Sequence, residues 1–97
     1  MDKQQGRGPL FSLGQVVATP GALEALQEAG QLPQEFLARH THGDWGELDS
    51  ADKQENERSV QQGFRILSAY ILSTGVKIWL ITEHDRSVTT FLLPSEY

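Results

Sequence analysis

The chain has 97 residues, 38% hydrophobic and 22% charged, with 13 Asp and Glu against 8 Lys and Arg for a net charge of −5. That length holds one hydrophobic core, and the absence of cysteine excludes disulfides, thiolate metal sites and cysteine nucleophiles. The acidic balance argues against direct nucleic-acid binding by phosphate neutralisation, and no apolar run approaches the ~20 residues of a membrane helix.

In chain order, MDKQQGRGP (residues 1–9) is too polar and glycine-rich to order itself and is expected to be a flexible lead-in. It lacks an apolar signal core, so no export and a cytoplasmic location are expected. Residues 10–97 then form a single domain. Leu10 to Val17 reads as a short strand or extended segment, weakened by Gly14. Thr19-Pro20 opens a helix with a hydroxyl cap and a proline at the first helical position. Ala22, Leu23, Ala25, Leu26 and Ala29 make its apolar stripe, and Gly30 closes it. Leu32-Pro33 starts a second helix to about His40, with Phe36 and Leu37 inward. A THGDWG loop follows. Asp49 or Ser50 caps a third helix to Gln62, closed by Gly63, whose interior is almost entirely polar.

After Gly63 the apolar period falls to two. Segments 64–72, 76–83 and 87–93 are rich in β-branched and aromatic residues, separated by turns at 73–75 and 84–86. The middle one is apolar on both sides, which predicts a central strand in a sheet covered, or nearly covered, on both faces. The fold class is therefore α+β. N-terminal helices pack on a C-terminal three- to four-stranded antiparallel sheet, with residues 13–18 as the fourth strand.

Charge is concentrated in the middle of this plan. Residues 41–58 hold Asp44, Glu47, Asp49, Asp52, Glu55 and Glu57 against Lys53 and Arg58. Asp44, Trp45, Glu47, Asp52, Glu55 and Glu57 are the candidate partner-binding residues. Acidic side chains steer a basic, nucleic-acid-handling protein towards them, and tryptophan is a residue type enriched at binding hot spots. In so short a chain Trp45 equally serves as a core plug, the reading its burial value favours. Glu47, Asp52, Glu55 and Glu57 also raise the reading of a DNA-mimic inhibitor. Lys53 and Arg58 interrupt that field in the manner of a solvated helix.

His40, His42 and Asp44 have the H-x-H-x-D spacing of metal-dependent hydrolases, with His84 and Asp85 available in support. They form the alternative site for a small metal-dependent hydrolase or nuclease. The competing reading is a helix end followed by a turn through Gly43 and Asp44. Glu83 to Ser87 combines an acid, a base and a hydroxyl, but on a hairpin tip, where turn chemistry explains them. Thr89-Thr90 lies on the last strand. As an exposed edge, that strand would admit a homodimer by sheet extension. No catalytic residue and no cofactor are expected.

The segments LGQVVATPGALEAL, GDWGELDSADKQENE and KIWLITEHDRSVTTFLLPSEY resemble small proteins carried on bacterial plasmids and integrated mobile elements. The likeness spans about residues 10–97. Those relatives more usually read T-E-A-D-R-S at the second hairpin turn, so His84 departs from their pattern. Some are labelled restriction-modification subunits, yet no methyltransferase or nuclease motif is present here. The resemblance implies a bacterial cytoplasmic setting and an accessory role for a mobile element, and supplies no catalytic residues. With the Trp45 loop and the acidic helix, the function expected is that of a non-enzymatic interaction module that binds a host or element protein and modulates a defence or maintenance system.

Overall fold

The computed structural model describes residues 8–97, so most of the expected lead-in lies outside the described residues. Four strands and three helices follow in the order β1 (Gln15–Ala18), α1 (Pro20–Ala29), α2 (Pro33–Thr41), α3 (Ser50–Gln62), β2 (Ile66–Ile71), β3 (Lys77–Thr82) and β4 (Val88–Leu92). A 3-10 turn, Pro94–Glu96, ends the chain. The fold is α+β, with the helices first and the β-meander after them. Among the described residues no helix is long and apolar enough to cross a membrane.

The helix ends follow from local chemistry. The Thr19 side chain accepts the Ala22 N–H at the start of α1, and Gly30 ends that helix in the left-handed region. Asp49 caps α3 by accepting the Asp52 N–H at 2.8 Å. In α3 the buried residues are Asn56 and Ser59, while Ala51 is exposed and Val60 half-buried. This helix is thus held by polar contacts rather than by an apolar stripe.

The sheet order is β1-β4-β3-β2. β2, β3 and β4 form the expected antiparallel meander, but β1 joins β4 in parallel, which corrects the all-antiparallel sheet. The reason lies at the shared end of the two strands. β1 leads directly into α1, and β4 leads directly into Glu96, whose carboxylate accepts the Thr19 hydroxyl at 2.5 Å and the Gly21 N–H at 3.2 Å. Both strands must therefore finish at the same end. β1 also displaces β4 from the edge, so the Thr89-Thr90 edge expected from sequence is interior, and the sheet edges are β1 and β2.

Alternation along the strands separates two faces. One carries Ile66, Ser68, Tyr70, Ile78, Leu80, Thr82, Thr89 and Phe91, all buried, against Ala22, Ala25 and Leu26 of α1 and Phe36 and His40 of α2. Each large apolar side chain buried there contributes roughly 1.5–3 kcal/mol. The opposite face carries Leu67, Ala69, Trp79, Ile81 and Leu92. Tyr97 stands edge-on to Trp79 with ring centroids 5.6 Å apart, and its hydroxyl accepts a hydrogen bond from Arg65 at 2.9 Å. That shielding leaves Ile81 and Leu92 buried and Trp79 half-buried.

Candidate functional site

The sequence places His40, His42 and Asp44 close together, and the fold points them apart. His40 is the last buried residue but one of α2 and faces the sheet with no solvent exposure. Its Nδ1 lies 2.6 Å from Ser68 Oγ and its Nε2 2.9 Å from Thr82 Oγ1. Thr82 Oγ1 is 2.7 Å from Thr89 Oγ1, which in turn donates to the Leu13 carbonyl at 2.7 Å. Because a carbonyl only accepts, the directions are fixed. Thr89 donates to Leu13, Thr82 to Thr89, His40 Nε2–H to Thr82, and Ser68 to the bare Nδ1 of a neutral imidazole. Burial, with the Arg86 guanidinium adding to it, lowers the His40 pKa from 6.5 to about 3, which keeps the ring neutral. With both ring nitrogens engaged, His40 offers no lone pair to a metal.

His42 is exposed and turns back along α2, its Nδ1 donating to the Ala38 carbonyl at 2.9 Å. Asp44 is held by the Arg39 guanidinium at 2.7 Å, which lowers its carboxyl below the usual range and raises the Arg39 pKa. Among the described residues no three His, Asp or Glu side chains gather as a metal site. His84 and Asp85 lie exposed at the β3–β4 turn. There Asp85 accepts the Ser87 N–H and hydroxyl, and both bonds hold its carboxyl low. The metal-site alternative is therefore not assembled.

Trp45 is a core residue, 3% exposed: it is the core plug that its size favours, and its place among the partner-binding residues is corrected. Its indole stacks on Phe11 at 6.2 Å and meets His40 edge-on at 6.0 Å. Its Nε1–H donates to Glu57 at 2.9 Å, so Glu57 holds the loop to α3. The main chain around Trp45 acts as a short extra strand. Ala69 donates to the Trp45 carbonyl at 3.1 Å, and Glu47 donates to the Ala69 carbonyl at 2.6 Å. Gly46 is indispensable to this approach: its φ is 77°, and a Cβ there would collide with the Ala69 carbonyl.

The remaining acids divide. Glu57 faces Trp45, whereas Asp52 and Glu55 line a cleft of about 200 Å³ with Leu48, Asn56, Arg65 and Leu67. The four carboxylates proposed for a DNA mimic therefore do not form one face. Leu48 and Leu67 supply apolar surface in the cleft, and Asn56 joins its two walls by bonding the Leu67 main chain. Arg65 lines the cleft, but its guanidinium bonds Tyr97 and, at 3.4 Å, Glu83. Among the described residues, ion pairs join only Arg39 to Asp44 and Arg65 to Glu83, and none of them engages Asp52 or Glu55.

Leu48, Asn56, Arg65 and Leu67 escaped the sequence reading. Nothing periodic marks them, because the cleft exists only once α3 is set against β2. A polar Asn at the buried position of a polar helix was the one available signal. No protein-family model matches this chain, and neither the curated proteins nor the solved structures yield a match.

Proposed function

We propose that the protein is a non-enzymatic interaction module that takes a basic segment of a protein partner into the cleft between α3 and β2. The observation that carries this reading is the pairing of two carboxylates that form no ion pair among the described residues, Asp52 and Glu55, with the apolar surface of Leu48 and Leu67. A Lys or Arg side chain has the matching construction: an apolar stem to lie on the leucines and a cationic head for the carboxylates. The net charge of −5 adds long-range attraction for a basic partner. The resemblance to plasmid and mobile-element proteins supports an accessory role, with a host or element protein as the partner.

The test is titration of the protein with Lys- and Arg-rich peptides carrying interspersed leucines, at two salt concentrations. Binding that weakens with salt, and weakens at least about tenfold when Asp52→Lys and Glu55→Lys are combined, supports the reading. Circular dichroism establishes that the double variant remains folded. Equal binding by the wild type and that variant rejects the cleft as the site.

A further inference from the structure

The two edges of the sheet are finished differently. Along β2, Asn56 satisfies the outward main chain of Leu67, and the Trp45–Glu47 loop satisfies that of Ala69. Along β1 nothing comparable is present among the described residues. The ladder to β4 uses the odd residues, with Gln15 N–H bonding Ser87 and Thr19 N–H bonding Phe91. Val16 and Ala18 therefore turn their N–H and C=O groups outward, and among the described residues no group bonds them. All four residues of β1 are exposed, Val16 at 41% and Val17 at 39%. The edge also lacks the devices that normally discourage pairing. Residues 8–23 hold no Asp, Glu, Lys, Arg or His, and β1 itself contains neither proline nor a bulge.

We infer that β1 is a self-association edge, pairing antiparallel with β1 of a second copy about a two-fold axis at Val17. Two features select a second copy over a foreign strand. First, the outward groups sit symmetrically about Val17. Val16 of one copy thus opposes Ala18 of the other, and each pair exchanges both hydrogen bonds. Second, the edge is uncharged in a protein of net charge −5. β1 itself carries no charged side chain, so another β1 meets no like charge along the strand. The same register sets Gln15 opposite the second copy's Thr19, whose hydroxyl holds Glu96. The Gln15 amide then has a carboxylate within its reach. The result is one sheet continuous through both copies, with the β2 edges, covered at Leu67 and Ala69, at its ends.

Sedimentation of the full chain from micromolar to millimolar concentration, combined with amide exchange, tests this. The expected result is a monomer–dimer equilibrium in which protection of the Val16 and Ala18 amides rises with concentration. Val17→Lys and Val17→Glu each place like charges across the axis. Each should move the equilibrium at least about tenfold towards monomer. An equimolar mixture of the two should restore the dimer. Val16→Pro removes only an outward N–H, so it should also give folded monomer, verified by an unchanged near-ultraviolet dichroism spectrum. A monomer at every concentration overturns the inference. So does protection of Val16 and Ala18 that ignores concentration, or a dimer indifferent to the Val17 substitutions. Peptide binding at the cleft is read separately and decides nothing about this edge.

Discussion

Asn56 treats Leu67 as a neighbouring strand would: its side-chain amide donates to the Leu67 carbonyl at 2.6 Å and accepts the Leu67 N–H at 3.2 Å. One side chain thereby replaces a whole peptide unit at the edge of β2. Removing it leaves both main-chain groups, which are part-buried beside the cleft, without their protein partner. Asn56→Ala is expected to cost about 1–3 kcal/mol in urea denaturation. Asn56→Asp keeps the acceptor but sets a carboxylate against the Leu67 carbonyl, and should cost at least as much. A cost within about 0.5 kcal/mol for both variants would show that the edge is held by the Trp45–Glu47 loop alone.

Trp45 is unsuitable as a probe of binding because its removal attacks the fold. Trp45→Ala opens a cavity beside Phe11 and His40 and frees Glu57, and should cost about 3–5 kcal/mol. Trp45→Phe keeps much of the packing and loses the Glu57 bond, so its expected cost is smaller, about 1–2 kcal/mol. Denaturant midpoints of the two variants, compared at constant slope, give the ordering. The reverse order would place Trp45 outside the core.

His40 makes stability depend on acid at unusually mild pH. The unfolded chain binds the imidazole proton near pH 6.5, and the folded protein resists it until about 3. The contribution of neutral His40 is therefore complete above pH 6.5 and is lost as pH falls from 6.5 towards 3. The slope approaches about 1.4 kcal/mol per pH unit. Asp44, Asp85 and Glu96, whose carboxyls are held low by hydrogen bonds, lose their contributions only further down, in the carboxylate range. His40→Gln retains a donor and an acceptor without the titration. Denaturation at a series of pH values should show the slope between pH 6.5 and about 5 in the wild type and its absence in His40→Gln. An identical slope in both proteins refutes the assignment to His40.

Arg86 is the one described non-glycine residue with positive φ, at 61°, and its guanidinium repays that conformation. It donates to the carbonyls of Phe64 at 2.7 Å, Ser59 at 2.8 Å and Glu83 at 3.1 Å, closing the end of α3 onto the β3–β4 turn. Arg86→Gly relieves the backbone yet removes all three bonds; the Ser59 and Glu83 carbonyls keep main-chain partners and the Phe64 carbonyl loses its own, so the variant should still destabilise, by about 1–2 kcal/mol. Thermal melts of Arg86→Gly and Arg86→Lys decide the point. A stabilised glycine variant would mean that the backbone conformation, and not the hydrogen bonds, dominates.

What could be read in the sequence was whatever neighbouring residues decide. Thr19-Pro20 and Gly30 announce α1 because capping is local, and the alternation from Ile66 to Leu92 announces the meander because pleating has period two. The parallel entry of β1 depends on Glu96 meeting Thr19 across nearly the whole chain, and no pattern of nearby residues encodes it. The acidic candidates show the same divide. Their charge and their helix were legible, but the rotation that sends Glu57 to Trp45 and Asp52 and Glu55 to the cleft required the packed structure. H-x-H-x-D was legible as spacing and misleading as chemistry, since burial of His40 alone decides its partners.

The donors from Ser68 through His40, Thr82 and Thr89 to the Leu13 carbonyl all run in one direction. Such a relay works as a combination lock. It takes one tumbler from α2, one each from β2, β3 and β4, and a last from the segment entering β1. Sliding a strand by one residue turns its relay hydroxyl to the other face, and in β2 the residue that takes the place of Ser68 is apolar in either direction, Leu67 or Ala69. The relay then breaks with buried polar atoms stranded on both sides of the gap. Apolar residues alone would tolerate several registers of so short a sheet, since Ile, Leu and Val substitute for one another in bulk. The hydroxyls narrow that choice, and they do so without any charge, so the lock keeps its combination in high salt.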